Sequence, residues 1–302
     1  MKTRPERDAP KADAPAMDAI TRPPVRIRRP GHLALRVPDV SAAVDFYTRV
    51  VRLSLTEEAA GVAYLRSRFE HHCLELHPSD RAGVLHFGWE TDSDDATAAL
   101  RAMLITQDVV VRDALPEPGR RGVAFQFQDR LGMWNEVYRA MERLALLFPD
   151  GPLPALRQAH FTRMSPDPDA DLAFFRSIGF RVSDWVPGVQ AFLRCGHEHH
   201  NVGFLKFDRP MLHHHAYDVG SWDGIKAVCD WATLHGVAVE VGPVRHAAGN
   251  NIAVYIRDPN ALRVEFFCEM EVIDDDEDHD QRRQPVVFDL WHQSPPPPGF
   301  RD

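Results

Sequence analysis

Three side chains in the second half of the chain are suited to hold a metal ion. His214 and Glu265 lie in the short apolar alternations LHHHAYDV and ALRVEFF, and His160 opens a third, HFTRM. Such alternation predicts strands whose successive side chains point to opposite faces of a sheet, so all three can share one face. Two imidazoles and one carboxylate can form the facial triad that binds non-haem Fe(II) and leaves coordination positions open. The pattern therefore predicts a metal centre with room for a reaction.

Other histidines are expected to have structural or surface roles. His213 and His215 flank His214 and, by strand alternation, belong to the opposite face, where we expect packing or surface contacts. Four more histidines are expected to be exposed to solvent: His197, His199, His279 and His292. A single buried histidine is more often structural than functional, so the metal hypothesis depends on the three ligands occurring together.

The elements that must position these residues repeat along the chain. GHLALRVPDVSAAVDFY, which begins at Gly31, is echoed 128 residues later by AHFTRMSPDPDADLAFF. LHFGWE is echoed by HHHAYD at the same offset of 128, and DRLGMWNEV by DPNALRVEF at an offset of 129. One offset held over separate stretches indicates two homologous copies. The residues of the first copy that correspond to the triad are His32, His86 and Glu136.

Each copy has the same coarse pattern of elements. A strand is followed by a helix that an aspartate can cap, at Asp39 in the first copy and at Asp167 in the second, and further strands close the unit. Residues 96–106 and 222–236 supply a second helix in each copy. The chain is therefore expected to contain four βαβββ modules, two in each copy. This is an α+β fold in which the sheet of each copy curls around its ligands.

Composition divides the chain into five parts. Residues 1–30 are rich in Pro, Arg, Asp and Ala and are expected to form a flexible arm. The first copy is assigned to residues 31–143 and the second to residues 159–270. A linker with three prolines, residues 144–158, separates them. Residues 271–302 form a tail that is first acidic and then Pro-rich, and its proline run is expected to lie extended along a surface.

Bulk properties exclude several classes of protein. The chain has 302 residues, 44% of them hydrophobic, and a net charge of −9, which argues against binding to the phosphate backbone of nucleic acid. No run approaches the ~18 apolar residues of a membrane span. The four cysteines have no CxxC spacing, and no signal peptide is evident, which favours a reducing cytoplasm.

Taken together, the motifs resemble those of the type I extradiol ring-cleaving dioxygenases of the vicinal oxygen chelate superfamily. The most similar group is that of catechol 2,3-dioxygenase and homoprotocatechuate 2,3-dioxygenase. The resemblance covers about residues 30–270, with a weaker echo to residue 283. It implies that the second copy is catalytic, that the first is not, and that the metal ligands are His160, His214 and Glu265.

The resemblance also implies roles for three further residues. His200 matches the acid–base histidine, although Asn201 follows it where the family has Asp. His246, in the loop GPVRH, would bind a substrate oxygen or orient the pocket. Tyr255 would hydrogen-bond the metal-bound substrate or oxygen. The first copy has Arg121 and Gln126 in place of His246 and Tyr255, so the second copy is expected to be the active one.

Four positions are expected to contact the substrate: Phe192, Thr162, Val241 and Arg283. In the homoprotocatechuate branch the first three are Trp, Asn and Arg, respectively. The missing arginine counts against a substrate with a carboxylated side chain, because a guanidinium is a strong partner for a carboxylate.

The implied activity is Fe(II)-dependent cleavage of a substituted catechol beside its diol, with O2, to a muconic semialdehyde-type product. Mn(II) accepts the same ligands. Because one scaffold supports several chemistries, four alternatives stay open: a hydroquinone-cleaving dioxygenase, a glyoxalase-like isomerase, a metal-free protein that binds an aromatic drug, and a metal in the first copy. The resemblance also implies a homo-oligomer, a tetramer in that family.

Overall fold

The computed structural model describes residues 27–145, 155–274, 278 and 287–300. Residues 1–26 of the predicted arm and the central part of the predicted linker lie outside this range. His279 and Arg283, for which solvent exposure and substrate contact were predicted, also lie outside the described residues.

The first copy folds as two successive βαβββ modules. The first consists of β1 (Ile27–Val37), α1 (Val40–Arg49), β2 (Ser54–Ala59), β3 (Val62–Arg66) and β4 (Leu74–Pro78). The second consists of β5 (Gly83–Thr91), α2 (Asp94–Thr106), β6 (Val111–Asp113), β7 (Arg120–Gln128) and β8 (Trp134–Met141).

The second copy repeats this order. Its first module consists of β9 (Arg157–Ser165), α3 (Pro168–Ser177), β10 (Arg181–Val186), β11 (Gln190–Arg194) and β12 (Val202–Lys206). Its second consists of β13 (Met211–Asp218), α4 (Trp222–Leu234), β14 (Val241–Arg245), β15 (Ile252–Arg257) and β16 (Arg263–Cys268). The predicted α+β fold of four βαβββ modules is confirmed.

Each copy forms one eight-stranded sheet. The strand orders are β2-β3-β4-β1-β5-β8-β7-β6 and β10-β11-β12-β9-β13-β16-β15-β14. The opening strands of the two modules pair antiparallel at the centre of each sheet, β1 with β5 and β9 with β13. This order puts β9, β13 and β16, the strands that carry the predicted metal ligands, side by side.

Side-chain caps fix the helix starts. The side chains of Asp39 and Asp167 each accept a hydrogen bond from the backbone amide three residues later, as the sequence predicts. Ser93 and Ser221 cap the second helix of each copy in the same way. Each helix then buries an apolar face on its sheet, which leaves the opposite, concave face of the sheet free to form a site.

A buried polar network joins the two copies. The guanidinium of Arg163 is fully buried and donates to Asp129 at 2.5 Å and to Asn135 at 2.8 Å, both in the first copy. It also lies 3.8 Å from the ring centre of Phe87. A buried charge is tolerated only when it is paired and hydrogen-bonded, so Asp129 is required for Arg163 to remain in this apolar interface.

The ends of the two copies differ slightly from the predicted boundaries. β1 begins at Ile27, inside the segment assigned to the arm, and Ile27 itself is buried. β9 begins at Arg157, two residues before the predicted start of the second copy. In the tail, Pro295, Pro297 and Pro298 are exposed, as expected for a segment lying on the surface.

Two further features are the length of the helices and the state of the cysteines. None of the described helices is long and apolar enough to cross a membrane. All four cysteines are free thiols, and Cys73, Cys195 and Cys268 are buried, as expected for small apolar side chains.

Candidate metal centre

Strand register brings the three predicted ligands onto one face. Ala216 of β13 lies opposite His160 of β9 on one side and opposite Glu265 of β16 on the other. His214 is two residues before Ala216 and therefore points to the same face of the sheet.

The ligand atoms converge within hydrogen-bonding distance of one another. His160 Nε2 lies 3.2 Å from His214 Nε2 and 3.0 Å from Glu265 Oε2, and the distance from His214 Nε2 to Glu265 Oε2 is 2.8 Å. Two ligands each about 2.1 Å from one ion, at right angles, are about 3.0 Å apart. The three atoms are thus spaced as the adjacent ligands of one octahedral ion, and the residues fit a facial triad.

Burial and mutual charge set the protonation of these groups. Burial alone raises the pKa of Glu265, but the charges of His160 and His214 and their hydrogen bonds lower it more, so the pKa lies well below its usual value. Burial lowers the pKa of His214 to about 4, against the opposing effect of Glu265. An ionised carboxylate and a neutral imidazole are the forms that bind a metal.

A residue that the sequence analysis did not identify orients the carboxylate. Asn251, which is buried at the start of the segment leading into β15, donates from Nδ2 to Glu265 Oε1 at 3.1 Å. This contact leaves Oε2 facing the two histidines. No spacing or motif in the sequence pointed to Asn251, because the contact depends on how the loop before β15 returns to the sheet.

A cavity opens over the candidate triad. Its empty space, including the part open to solvent, is about 650 Å³. Of the predicted site residues, seven line it: Thr162, Phe192, His200, His214, His246, Tyr255 and Glu265. His160 lies fully buried beneath them.

His200 lies beside the triad with one ring nitrogen engaged. Its Nδ1 lies 3.1 Å from Nδ1 of His199, and its ring is 4.4 Å from that of His160 and 4.8 Å from that of Phe192. Burial, reinforced by the charges of His160 and His199, holds the pKa of His200 well below its ordinary value. The imidazole is therefore neutral at physiological pH, with Nε2 left to contact a ligand.

His246 and Tyr255 form a hydrogen-bonded pair on the opposite wall. The Tyr255 hydroxyl lies 2.7 Å from His246 Nε2, and His246 Nδ1 lies 3.3 Å from the carbonyl of Phe288. Because a carbonyl oxygen can only accept, Nδ1 must carry the hydrogen of the neutral imidazole. Nε2 therefore accepts the hydrogen bond from the Tyr255 hydroxyl. Burial lowers the pKa of His246, and burial together with the charge of Glu265 raises that of Tyr255.

The wall near β12 is shaped by a close approach. A Cβ atom at Gly203 would lie 2.9 Å from Thr162 Oγ1 and 3.1 Å from the ring of Phe192. Thr162 Oγ1 is buried and has no hydrogen-bond partner among the described residues. It is thus a polar atom with hydrogen-bonding capacity left for a ligand.

Two histidines, His213 and His199, do not follow their predicted roles, whereas His215 makes a packing contact as predicted. A bulge between Leu212 and His214 interrupts the alternation of β13, so His213 lies on the same side as His214, with their Nδ1 atoms 2.6 Å apart, and lines the cavity. His199, expected to be solvated, is fully buried because its ring supports His200. His215 is buried and contacts the Tyr47 hydroxyl of the first copy at 3.2 Å.

The remaining predictions for single histidines and the substrate wall have mixed outcomes. His197 and His292 are exposed, as predicted. Val241 does not line the cavity: it lies on β14, the edge strand of the second sheet, beside a separate surface depression.

The end of the tail closes one side of the cavity, which the sequence analysis did not predict. Phe288 and Phe300 line it, with Phe300 packed edge-on against Tyr255 at 4.9 Å between ring centres. The carbonyl of Phe300 also lies 2.5 Å from His213 Nε2. Aromatic residues on both sides of the proline run, Phe288 before it and Phe300 after it, were the only available signal in the sequence.

The corresponding residues of the first copy are arranged differently. Glu136 accepts from Arg120 at 2.5 Å through Oε1 and from Gln126 at 2.8 Å through Oε2. Both carboxylate oxygens are therefore occupied, whereas Glu265 keeps one for the histidines. Gln126 occupies the place of Tyr255, as the sequence predicts. Gln126 on β7 pairs with Glu136 on β8, just as Tyr255 on β15 pairs with Glu265 on β16.

The assignment of Arg121 to the place of His246 is wrong. Arg121 is largely exposed and forms an ion pair with Glu142. At the edge of the first sheet Arg112 pairs with Gln126, and at the edge of the second Val241 pairs with Tyr255. Equivalent positions at these two edges are therefore 129 residues apart. At that offset His246 corresponds to Glu117 and not to Arg121.

Comparison with known proteins supports the repeat. Residues 29–137 and 157–266 each match the family model described as the Glyoxalase/Bleomycin resistance protein/Dioxygenase superfamily. A metapyrocatechase of Geobacillus stearothermophilus is 24% identical over 78% of this chain and 79% of its own length. An iron-dependent extradiol dioxygenase of Rhodococcus jostii is also 24% identical, over 83% of this chain and 92% of its own.

Solved structures share the whole architecture. Homoprotocatechuate 2,3-dioxygenase from Arthrobacter globiformis superposes with a TM-score of 0.83 at 24% identity, covering 94% of this chain and 92% of that one. An Mn(II)-bound glyoxalase from Novosphingobium aromaticivorans gives a TM-score of 0.81 at 27% identity, covering 92% and 98%. With both copies matched over their full sheets, the chain belongs to the Glyoxalase/Bleomycin resistance protein/Dioxygenase superfamily.

Proposed function

We propose that this protein is an extradiol dioxygenase that cleaves the ring of a substituted catechol beside its diol with O2. The metal ion would be Fe(II), with Mn(II) as an alternative, held by His160, His214 and Glu265 in the second copy. The product would be of the muconic semialdehyde type. The named relatives include an iron-dependent extradiol dioxygenase and a metapyrocatechase.

One observation carries this proposal. Two imidazole nitrogens and one carboxylate oxygen converge at 2.8–3.2 Å below an open cavity whose walls hold three more proton-handling side chains. Three protein ligands leave the other half of an octahedral ion for a bidentate diol and O2. A binding protein that sequesters a drug has no need of this ligand set.

A bound ion would supply the chelation of both diol oxygens and the electron transfer from ring to O2. His200, whose Nδ1 is held by His199, would use Nε2 to accept a proton from a substrate hydroxyl and later return it. The Tyr255 hydroxyl, which donates its proton to His246 Nε2, would accept a hydrogen bond from the substrate hydroxyl nearest β15. Phe192 packs against the ring of His200 and would limit its movement.

The cavity favours an uncharged ring substituent. Its described wall residues include no lysine or arginine and several apolar ones, among them Leu205, Phe288 and Phe300. A carboxylate would therefore lack a cationic partner in this part of the wall. We infer that an alkyl or aryl catechol is preferred over a carboxylated one.

The test is aerobic turnover by protein stripped of metal and reloaded anaerobically with Fe(II) or Mn(II). The substrates are catechol, 3- and 4-methylcatechol, 3,4-dihydroxyphenylacetate and hydroquinone. Oxygen uptake together with a yellow ring-fission product from the methylcatechols supports the proposal. Uptake with hydroquinone alone would indicate a hydroquinone-cleaving enzyme.

The same preparation can test the isomerase alternative, which the similarity to a Mn(II)-bound glyoxalase favours. If the protein consumes the hemithioacetal of methylglyoxal and glutathione without oxygen uptake, the isomerase assignment would replace the dioxygenase assignment. His160→Ala should abolish turnover, whereas His32→Ala, the matched change in the first copy, should leave turnover largely intact. The opposite result would move the active site to the first copy.

We further infer a cytoplasmic homo-oligomer, on the resemblance to the extradiol dioxygenases. Light scattering coupled to gel filtration tests the assembly, and a tetramer is the expected state. A monomer at micromolar concentration would contradict it.

A further inference from the structure

The first copy contains a second cluster of metal-binding side chains that the proposed function does not use. It consists of His32 on β1, His72 before β4, Glu75 on β4 and Glu117 in the loop before β7, and we call it the first-copy cluster. One ligand-type atom from each of the four lies within 4.8 Å of the others. Glu75 and Glu117 have no acidic counterpart in the second copy, where Gly203 and His246 occupy these positions.

The inner atoms of the cluster point at one another. His32 Nε2 lies 2.9 Å from Glu75 Oε1, and His72 Nε2 lies 3.3 Å from Glu75 Oε1 and 2.9 Å from Glu117 Oε1. His72 Nε2, Glu75 Oε1 and Glu117 Oε1 are buried, yet none has a partner in hydrogen-bonding geometry. Ligands about 2.1 Å from a shared ion lie about 3.0–3.4 Å apart, which matches these separations.

The outer atoms of the same side chains are all held by neighbours. His32 Nδ1 contacts the Tyr138 hydroxyl at 3.1 Å, and His72 Nδ1 contacts His71 Nδ1 at 3.0 Å. The second oxygen of Glu75 lies 2.7 Å from His77 Nε2, and that of Glu117 lies 3.2 Å from Arg120 Nη1. Outer contacts of this kind orient the inner atoms of metal ligands.

Charge gives an independent argument. Glu75, Glu117 and Glu136 are three buried or nearly buried carboxylates, and Arg120 is the one guanidinium that contacts them in the described part of the chain. With neutral histidines, the group has a net charge of −2. A buried charge of this size is very unfavourable unless it is compensated, either by protonation of the histidines, as the raised pKa of His72 allows in the metal-free protein, or by a bound cation. A divalent cation would compensate it completely.

We propose that the first copy binds one divalent transition-metal ion through His32 Nε2, His72 Nε2, Glu75 Oε1 and Glu117 Oε1. This ligand set differs from the one that the repeat would predict, because Arg120 and Gln126 already occupy both oxygens of Glu136. His86 Nε2, 2.7 Å from His32 Nε2, is within reach as a fifth donor.

Four protein ligands make this a closed site, in contrast to the three of the second copy. Glu75 occupies the strand position that Gly203 has in the second copy, where the lack of a side chain makes room for Thr162 and Phe192. The first-copy ion would therefore be structural: it would link β1 and β4 to the loop before β7 and would not meet a substrate.

The experiment counts metal ions in protein whose second-copy site has been disabled. His160→Ala/Glu265→Ala protein is stripped with a chelator, reloaded separately with Mn(II), Fe(II) or Zn(II), gel-filtered and assayed by mass spectrometry of the metal. We expect one ion per chain with at least one of these metals, and two per chain in the wild type. Loading should also raise the Tm of the disabled protein by several degrees.

Glu75→Gln/Glu117→Gln introduced into the same background should remove the remaining ion and the rise in Tm. The proposal is overturned if none of the three metals binds the disabled protein, or if the glutamine substitutions leave binding unchanged. Should the glutamine variant fail to fold, the count in the disabled protein still decides. None of these measurements depends on ring cleavage, so a failure of the proposed function would remain distinguishable.

Discussion

Asn251→Leu should weaken metal binding in the second copy without removing any ligand. The asparagine donates to Glu265 Oε1 at 3.1 Å, and both residues are buried. Leucine has a similar size, so it removes the hydrogen bond and leaves the packing nearly unchanged. Without the donor, the carboxylate is free to turn its Oε2 away from His160 and His214 before a metal arrives.

Three estimates bound the size of the effect on metal affinity. Fixing a side chain that was free costs about 0.5–1.5 kcal/mol, or about two- to twelvefold in affinity. Losing a partner that orients a metal ligand typically costs 10–100-fold, and a hydrogen bond to a charged group contributes about 1.5–3 kcal/mol. We therefore expect the Kd for Mn(II) to rise about tenfold, with about a hundredfold as the upper limit.

The Kd for Mn(II) is measured by competition with a chromophoric chelator at neutral pH. The protein carries Glu75→Gln/Glu117→Gln, so that only the second copy binds the metal. Asn135→Leu is the matched control, because Asn135 is equally buried and lies in the interface between the copies. It should lower the unfolding midpoint but leave the Kd unchanged. If Asn251→Leu leaves the Kd within twofold of the parent, or if both variants raise it equally, Asn251 does not position the ligand.

Three further changes test other parts of the structure. Asp129→Ala removes the partner of the buried Arg163 and should lower the free energy of unfolding by about 3–5 kcal/mol in urea. Burial raises the pKa of Asp171 to about 6 in the folded protein, against about 3.9 in the unfolded chain. The free energy of unfolding should therefore fall as the pH rises from about 4 to 6. Asp171→Asn should abolish this decline, measured as the urea midpoint at each pH. Phe300→Ala, which removes the ring packed on Tyr255, should raise the KM for a methylcatechol about tenfold, with a smaller change in kcat.

The parts of the fold that follow from local periodicity could be predicted from the sequence. Alternation and helix caps gave the four modules, and the constant offset gave the two copies. The candidate triad was predictable for the same reason, since His160, His214 and Glu265 each lie in a strand whose register is set by a buried face. Their convergence then follows from β9, β13 and β16 being neighbours.

The misplaced residues depended on features that break this periodicity. His213 was assigned to the far face because alternation was assumed through a strand that contains a bulge. Asn251 and Glu117 reach their sites from loops, whose course is not encoded in a two-residue period. Phe300 reaches the cavity only because the tail returns across the second sheet, a contact between residues far apart in sequence.

Comparison of the two copies indicates which positions decide the chemistry. Both retain two histidines and a glutamate on equivalent strands, so these three residues alone do not distinguish the copies. In the first copy Arg120 and Gln126 hydrogen-bond both oxygens of Glu136, and Glu75 stands where Gly203 of the second copy makes room for Thr162 and Phe192.

A Cβ atom at the Gly203 position would lie 2.9 Å from Thr162 Oγ1 and 3.1 Å from the Phe192 ring, so a carboxylate there would displace two residues of the cavity wall. It would also offer the metal a fourth protein ligand in place of an open position. Gly203 therefore allows Thr162 and Phe192 to line the cavity, and an acidic residue there would favour a closed metal site like the one proposed for the first copy.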